Sequence, residues 1–294
     1  MAQPRGFVDP QFPSYACKLN KALYGLKQAP RVWLHKLSHA LLQWGFQASR
    51  ADSSMFFRHL ATDVLILLVY VDDLLVTGSN SSQVSSFISY LNSTFAICDL
   101  RCLNYFLSIE VIHYGSRMHL SQHKYVQDLL ARTNMLDSKL AHTPGILGRT
   151  LSQHDGPPFL DIKLYHSTVG ALQYVTLTRP DIAFVVNKAC QFMTNPTETH
   201  WLVVKRILCY LKGTSSYGLQ LHQAKSLDLY EYTNADWVSC LDDCRSTNEY
   251  CLFLGPNLIS WSSTKQSLCS KSYVSLSLLL ILSGVIIKVH LIDG

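Results

Sequence analysis

Two apolar runs break over a short acidic turn early in the chain. Val64-Leu65-Ile66-Leu67-Leu68-Val69 leads into Tyr70-Val71-Asp72-Asp73 and then Leu74-Leu75-Val76, a pattern that reads as a β-hairpin with its acids at the turn. Upstream, Pro30 opens a predicted helix in which Trp33, Leu37, Leu41 and Trp44 recur at helical spacing until Gly45. Downstream, residues 84–95 predict a helix with Val84, Phe87, Ile88 and Leu91 on the face that covers the sheet, and residues 103–111 read as one buried strand. Ser121 is the expected cap of a helix carrying Tyr125, Val126, Leu129 and Leu130, and the loop from Thr143 to Pro158 is the candidate boundary. Three amphipathic helices should follow and pack together. The first covers residues 165–177; the second, capped by Asp181, carries Ile182, Val185, Val186, Ala189 and Phe192; the third starts at Asn195-Pro196 and presents Trp201, Val204, Leu208 and Leu211. Residues 219–221, 227–230, 250–254 and 258–261 alternate as strands of one β-meander.

The acidic pair has two readings at this level. In many turns adjacent aspartates only hydrogen-bond the nearby backbone. Held at a hairpin tip, they also offer paired hard oxygen ligands suited to Mg²⁺ that bridges to substrate phosphates, the arrangement of two-metal nucleotidyl transfer.

The surrounding motifs favour the second reading. The run from Cys17 through Lys18-Leu19-Asn20-Lys21-Ala22-Leu23-Tyr24-Gly25-Leu26-Lys27-Gln28-Ala29-Pro30 to Trp33, together with the Tyr-Val-Asp-Asp tetrad, resembles the reverse transcriptase of copia-type LTR retrotransposons. Leu103-Asn104-Tyr105-Phe106-Leu107, Leu177-Thr178-Arg179-Pro180-Asp181, Ala235-Asp236-Trp237 and Ile259-Ser260-Trp261 resemble the same family in order, so the likeness extends to about residue 270. The resemblance implies an α+β fold: a partial right-hand polymerase palm and fingers with the start of the thumb over 1–142, and a helical thumb or connection over 143–222. A truncated RNase H-like α/β domain over 223–271 and a non-family apolar tail over 272–294 complete the expected organisation. It implies RNA-directed DNA synthesis with Mg²⁺ on Asp72 and Asp73, a nucleotide or template site at Tyr70, Gly25 and Gln28, and an RNA/DNA template-primer hybrid as partner, alongside other Pol segments.

Three departures from the family pattern lead us to expect weak Mg²⁺ binding and no autonomous activity. The family's further metal-binding Asp lies on a strand upstream of a segment like Gln3-Pro4-Arg5-Gly6-Phe7, and this sequence starts at Met1 without it. The RNase H remnant reads Asn234-Ala235-Asp236, with an amide where the family has an acid, and Ser270-Lys271-Ser272-Tyr273 stands where a further acidic segment is expected. The alternative is a noncatalytic nucleic-acid-binding remnant, or a pseudogene-derived protein with no selected activity. The family also usually has glycine at the positions of Arg101 and Ser108, a costly replacement if either backbone needs φ above zero.

Composition changes this picture little. At 294 residues and 48% hydrophobic content the chain can bury two cores, and 15% charged residues argues against wholesale disorder. The net charge of +5 is mild, but its location matters. Residues 117–149 set Arg117, Lys124, Arg132, Lys139 and Arg149 against Asp128 and Asp137, and residues 179–213 set Arg179, Lys188, Lys205, Arg206 and Lys212 against Asp181 and Glu198. Each segment is net positive, in the region the family uses to grip a duplex; Lys205, Arg206 and Lys212 are the candidate phosphate contacts, with solvated helix faces as the other reading. The 9 cysteines look like reduced thiols of an intracellular protein, cytoplasmic or nuclear, and the Cys98/Cys102 and Cys240/Cys244 spacings lack a second ligand pair for zinc. No signal-peptide pattern opens the sequence. The apolar run over 273–292, broken by Gly284 and Lys288, reads as a tail left by loss of the family frame near residue 271 and making no contact with the core, rather than as a stable membrane anchor.

Overall fold

A computed structural model describes residues 2–18, 28–71, 73–95, 97–146, 150–224, 226–236 and 240–266, and the backbone of 285–291. The chain divides into two compact units, residues 1–101 with 284–294, and residues 102–283.

In the first unit, helix α1 (Ala29–Gln43) begins with Pro30 in its first turn and buries Leu37 and Leu41. Strands β1 (Gln47–Ala48), β2 (Met55–His59), β3 (Val64–Tyr70) and β4 (Asp73–Gly78) form an antiparallel ladder in chain order. Helix α2 (Ser81–Thr94), capped by the Asn80 side chain on Ser82 N–H, buries Val84, Phe87, Ile88 and Leu91, and β5 (Ile97–Cys102) follows. Leu65, Leu67 and Val69 alternate inward along β3, and with Leu74, Val76 and the helix residues they make one core. Trp44 stacks on Phe87 and Tyr90 at 4.7 and 4.9 Å, as a packing anchor.

In the second unit, β6 (Tyr105–Phe106), β7 (Ile109–Tyr114) and β8 (Arg117–Ser121) form a meander, followed by α3 (His123–Arg132). Helices α4 (Ile162–Val175), α5 (Ala183–Cys190) and α6 (Glu198–Gly213) pack with α3 around Tyr165, Leu172, Val186, Val204, Ile207 and Leu208. Strand β9 (Gly218–His222) then joins β8, while β10 (Leu229–Ala235), β11 (Thr247–Leu254) and β12 (Asn257–Lys265) form a separate antiparallel meander. The Trp261 indole N–H donates to the Thr176 carbonyl at the end of α4, tying that meander to the helices.

Several sequence expectations are corrected. Residues 103–111 are a tight hairpin rather than one strand, because Leu107 and Ser108 take φ of +48° and +56° and turn the chain between Phe106 and Ile109. Helix α3 starts from Gln122, and Ser121 is instead the buried last residue of β8. Asp181 caps no helix; it sits in a 3-10 turn at Pro180–Ile182 and binds Arg179. The 219–221 strand belongs with β8 and not with the β10 to β12 meander. The tail is not wholly apart from the core: β13 (Val285–Leu291) lies between β4 and β5, antiparallel to β4 with His290 opposite Asp73. An exposed edge of β4 would leave its N–H and C=O groups unpaired, and a β-branched segment can satisfy them.

Arg101, at φ +61°, and Ser108 both occupy the left-handed region that penalises a Cβ. Arg101→Gly and Ser108→Gly are each expected to raise unfolding stability by about 1 kcal/mol, read from the urea midpoint. A fall in either variant would mean that the side chain's contacts outweigh the backbone penalty.

Candidate functional site

The acidic hairpin joins β3 to β4. Tyr70 and Asp73 are paired across the ladder, and Asp73 is the first residue of β4. Val71 has φ +50°, which a tight hairpin turn demands but a β-branched residue adopts only under strain. Its carbonyl accepts a hydrogen bond from the Trp33 indole Nε1–H at 3.1 Å. Trp33 is itself set edge-on against Phe95, ring centroids 5.2 Å apart. One helix of the core therefore fixes the hairpin tip and holds its strained turn, a strain of a kind that clusters at functional sites.

At that tip Tyr70 is 51% exposed, Asp73 is partly buried, and Leu74, Leu75 and Val76 behind them are buried. Gln28 is exposed at the N-cap of α1, the helix that carries Trp33. Asp72 and Gly25 lie outside the described residues. Helical spacing alone marks Trp33 as a packing residue; the clue that it does more is that a half-buried indole N–H needs an acceptor.

The cationic candidates on α6 do not behave alike. Lys205 is exposed, with its ammonium 6.0 Å from the Trp201 ring. Arg206 donates through Nη2 to Thr143 Oγ1 at 2.8 Å, and Lys212 donates to the Ser138 carbonyl at 2.6 Å. These last two fasten α6 to the segment that follows α3, which leaves Lys205 as the member of the trio that projects to solvent.

In the meander, Asn234 is exposed near the end of β10, and Asp236 accepts a hydrogen bond from the Thr247 backbone N–H while its own N–H donates to the Thr247 carbonyl. That carboxylate is engaged in holding β10 to β11. Among the described residues, no group of three or more His, Cys, Asp or Glu side chains is placed to hold a metal ion. Asp73 is the described acid at the hairpin, and the described residues do not by themselves make a two-metal site. Among the described residues, no helix is long and apolar enough to cross a membrane.

The family described as reverse transcriptase (RNA-dependent DNA polymerase) matches residues 1–147. The chain is 46% identical over 266 residues to the retrovirus-related Pol polyprotein from transposon RE1 of Arabidopsis thaliana, covering 90% of the chain and 18% of that polyprotein. It is 34% identical over 276 residues to the Pol polyprotein from transposon TNT 1-94 of Nicotiana tabacum, covering 90% and 21%. A third relative, the uncharacterized mitochondrial protein AtMg00810 of Arabidopsis thaliana, is 42% identical over 208 residues, covering 71% of the chain and 86% of that protein. No solved structure matches the chain. The chain thus spans about a fifth of the length of the Pol polyproteins it resembles.

Proposed function

Because the chain belongs to the reverse transcriptase (RNA-dependent DNA polymerase) family, we propose that it is a copia-type Pol segment that engages an RNA/DNA template-primer and does not extend the primer by itself. The observation that carries this reading is the hairpin tip, where Asp73 faces the exposed Tyr70 across a turn pinned by Trp33. Rigid presentation of an acid beside an exposed ring suits a terminus of a nucleic-acid substrate, because positioning supplies most of phosphoryl-transfer catalysis.

In this reading Asp72 and Asp73 are the metal ligands, and Tyr70, Gly25 and Gln28 border the nucleotide and template. Lys205, with Arg206 and Lys212 behind it, faces the phosphate backbone. The palm and fingers occupy 1–142, the thumb or connection 143–222 and the truncated RNase H-like part 223–271. Reverse transcriptases generally use divalent metals, here Mg²⁺, which would neutralise the triphosphate and activate the primer hydroxyl when bound. RNA-strand cleavage is likewise not expected, since Asn234 brings an amide oxygen without charge and the Asp236 carboxylate is engaged by Thr247.

The test is primer extension on a poly(rA) template with purified protein and Mg²⁺. No extension is expected. Robust extension that vanishes in Asp73→Asn would show that the chain is an autonomous polymerase and overturn the proposal.

A further inference from the structure

Outside the hairpin and the basic helices, one cluster joins a thiol, an amine and a carboxylate. Lys265, at the end of β12, places its Nζ 2.9 Å from Cys240 Sγ and 2.8 Å from Asp243 Oδ1. The Cys240 N–H donates to the Arg245 carbonyl and the Cys244 N–H to the Cys240 carbonyl, so the loop carrying the thiol is folded back on itself. Hydrogen bonds from Lys265 and then from the Cys240 thiol hold the Asp243 carboxyl down at about 2, so it stays an anion beside the ammonium and the thiol. Cys240 also borders a cavity of about 20 Å³ that Leu151, Phe192 and Thr247 line. Lys188 and Gln191 complete its lining, so its wall is mixed polar and apolar, with room for one small molecule.

We propose that Cys240 and Lys265 form a reversible oxygen-bridged crosslink, a redox-dependent clasp between the 240–245 loop and the end of β12. The co-reactant is dioxygen, supplied by air-saturated solvent. The S–H bond, one amine N–H bond and the O–O bond break, and S–O and O–N bonds form. Sulfur and nitrogen each give up two electrons; the second oxygen leaves as water with the thiol hydrogen and one amine hydrogen. The ammonium's remaining extra proton is released to solvent, which reaches the partly exposed Lys265. A bridging oxygen fits the present separation of sulfur and nitrogen with little movement, whereas a direct S–N bond would require them to close far inside contact distance. Oxidised sulfur of this grade is returned to the thiol by thiol reductants.

Full-length protein would be held in air-saturated buffer, and a second portion kept anaerobic with reductant, then digested and analysed by mass spectrometry. The expected result in air is a peptide pair joined through Cys240 and Lys265 with the mass of both peptides plus one oxygen less two hydrogens. Cys240 should lose its reactivity to iodoacetamide in the same sample, and dithiothreitol should restore it. The crosslink should disappear in Cys240→Ser and in Lys265→Arg, the second of which keeps the charge beside Asp243 and so preserves the loop. Cys240 that stays as alkylatable as the exposed Cys244 after air exposure, with no joined peptides, would overturn the proposal. A joined pair lacking the oxygen would overturn the bridge chemistry in favour of a direct bond.

Discussion

Asp181→Ala is expected to destabilise the helical unit by about 3 kcal/mol, the low end of the loss seen when a buried ion pair is left with one member. Arg179 is the larger partner, only 2% exposed. Its Nε and Nη2 bind the two Asp181 oxygens at 2.9 and 2.7 Å, its Nη1 and Nη2 donate to the Thr214 carbonyl and hydroxyl, and its guanidinium lies over the rings of Tyr210 and Tyr217. Removing Asp181 strands that charge indoors; the carboxylate's own 37% exposure lets water compensate in part, which is why the low end applies. Replacing both partners, Arg179→Leu with Asp181→Leu, should recover part of the loss, since no unpaired charge remains. Burial pushes the Asp181 carboxyl up, but hydrogen bonds and charge from Arg179 outweigh it and hold the group below its ordinary range. Its contribution is therefore present above the unfolded value near 3.8 and is lost as pH falls through the lower folded value. Urea unfolding followed by circular dichroism at pH 7 and again near pH 3 reads both effects. A change at pH 7 within about 0.5 kcal/mol, that of an ordinary surface substitution, would deny Arg179 and Asp181 this role.

Helical periodicity exposed most of the elements correctly. The faces of α1, α2, α4, α5 and α6 bury the residues that recur every three or four positions, because an amphipathic stripe is decided by the segment itself. What sequence did not reveal depends on distant partners. The Leu107-Ser108 turn lacks the Asn-Gly chemistry that usually announces a tight hairpin, and Asp181 was claimed by Arg179 before it could cap α5. β9 and β13 chose sheets through edges that no local pattern displays. At the hairpin, the two strands and the place of Asp73 at the start of the second were legible as apolar runs that break over a short turn, while the hydrogen bond from Trp33 to Val71 was not, since it joins residues far apart in sequence. On α6 the three cations looked equivalent in sequence; only packing separates Lys205 from Arg206 and Lys212, whose hydrogen bonds hold the helix to Thr143 and Ser138.

Salt dependence of binding to an RNA/DNA hybrid probes the central claim most directly, because phosphate contacts release counterions and leave a signature that packing cannot imitate. Fluorescence anisotropy of a labelled hybrid between about 50 and 200 mM salt should show affinity falling steeply, with a log–log slope near −0.9 per phosphate contact. Lys205→Gln should reduce that slope by about 1 at unchanged fold stability, whereas Arg206→Gln and Lys212→Gln should also lower the unfolding midpoint through loss of their ties to Thr143 and Ser138. Neutralising all three together should flatten the slope further with no change in sequence preference. The expected result is tight, salt-sensitive binding that Lys205→Gln weakens; affinity that does not vary with salt, or no binding at low salt, would contradict the template-primer reading.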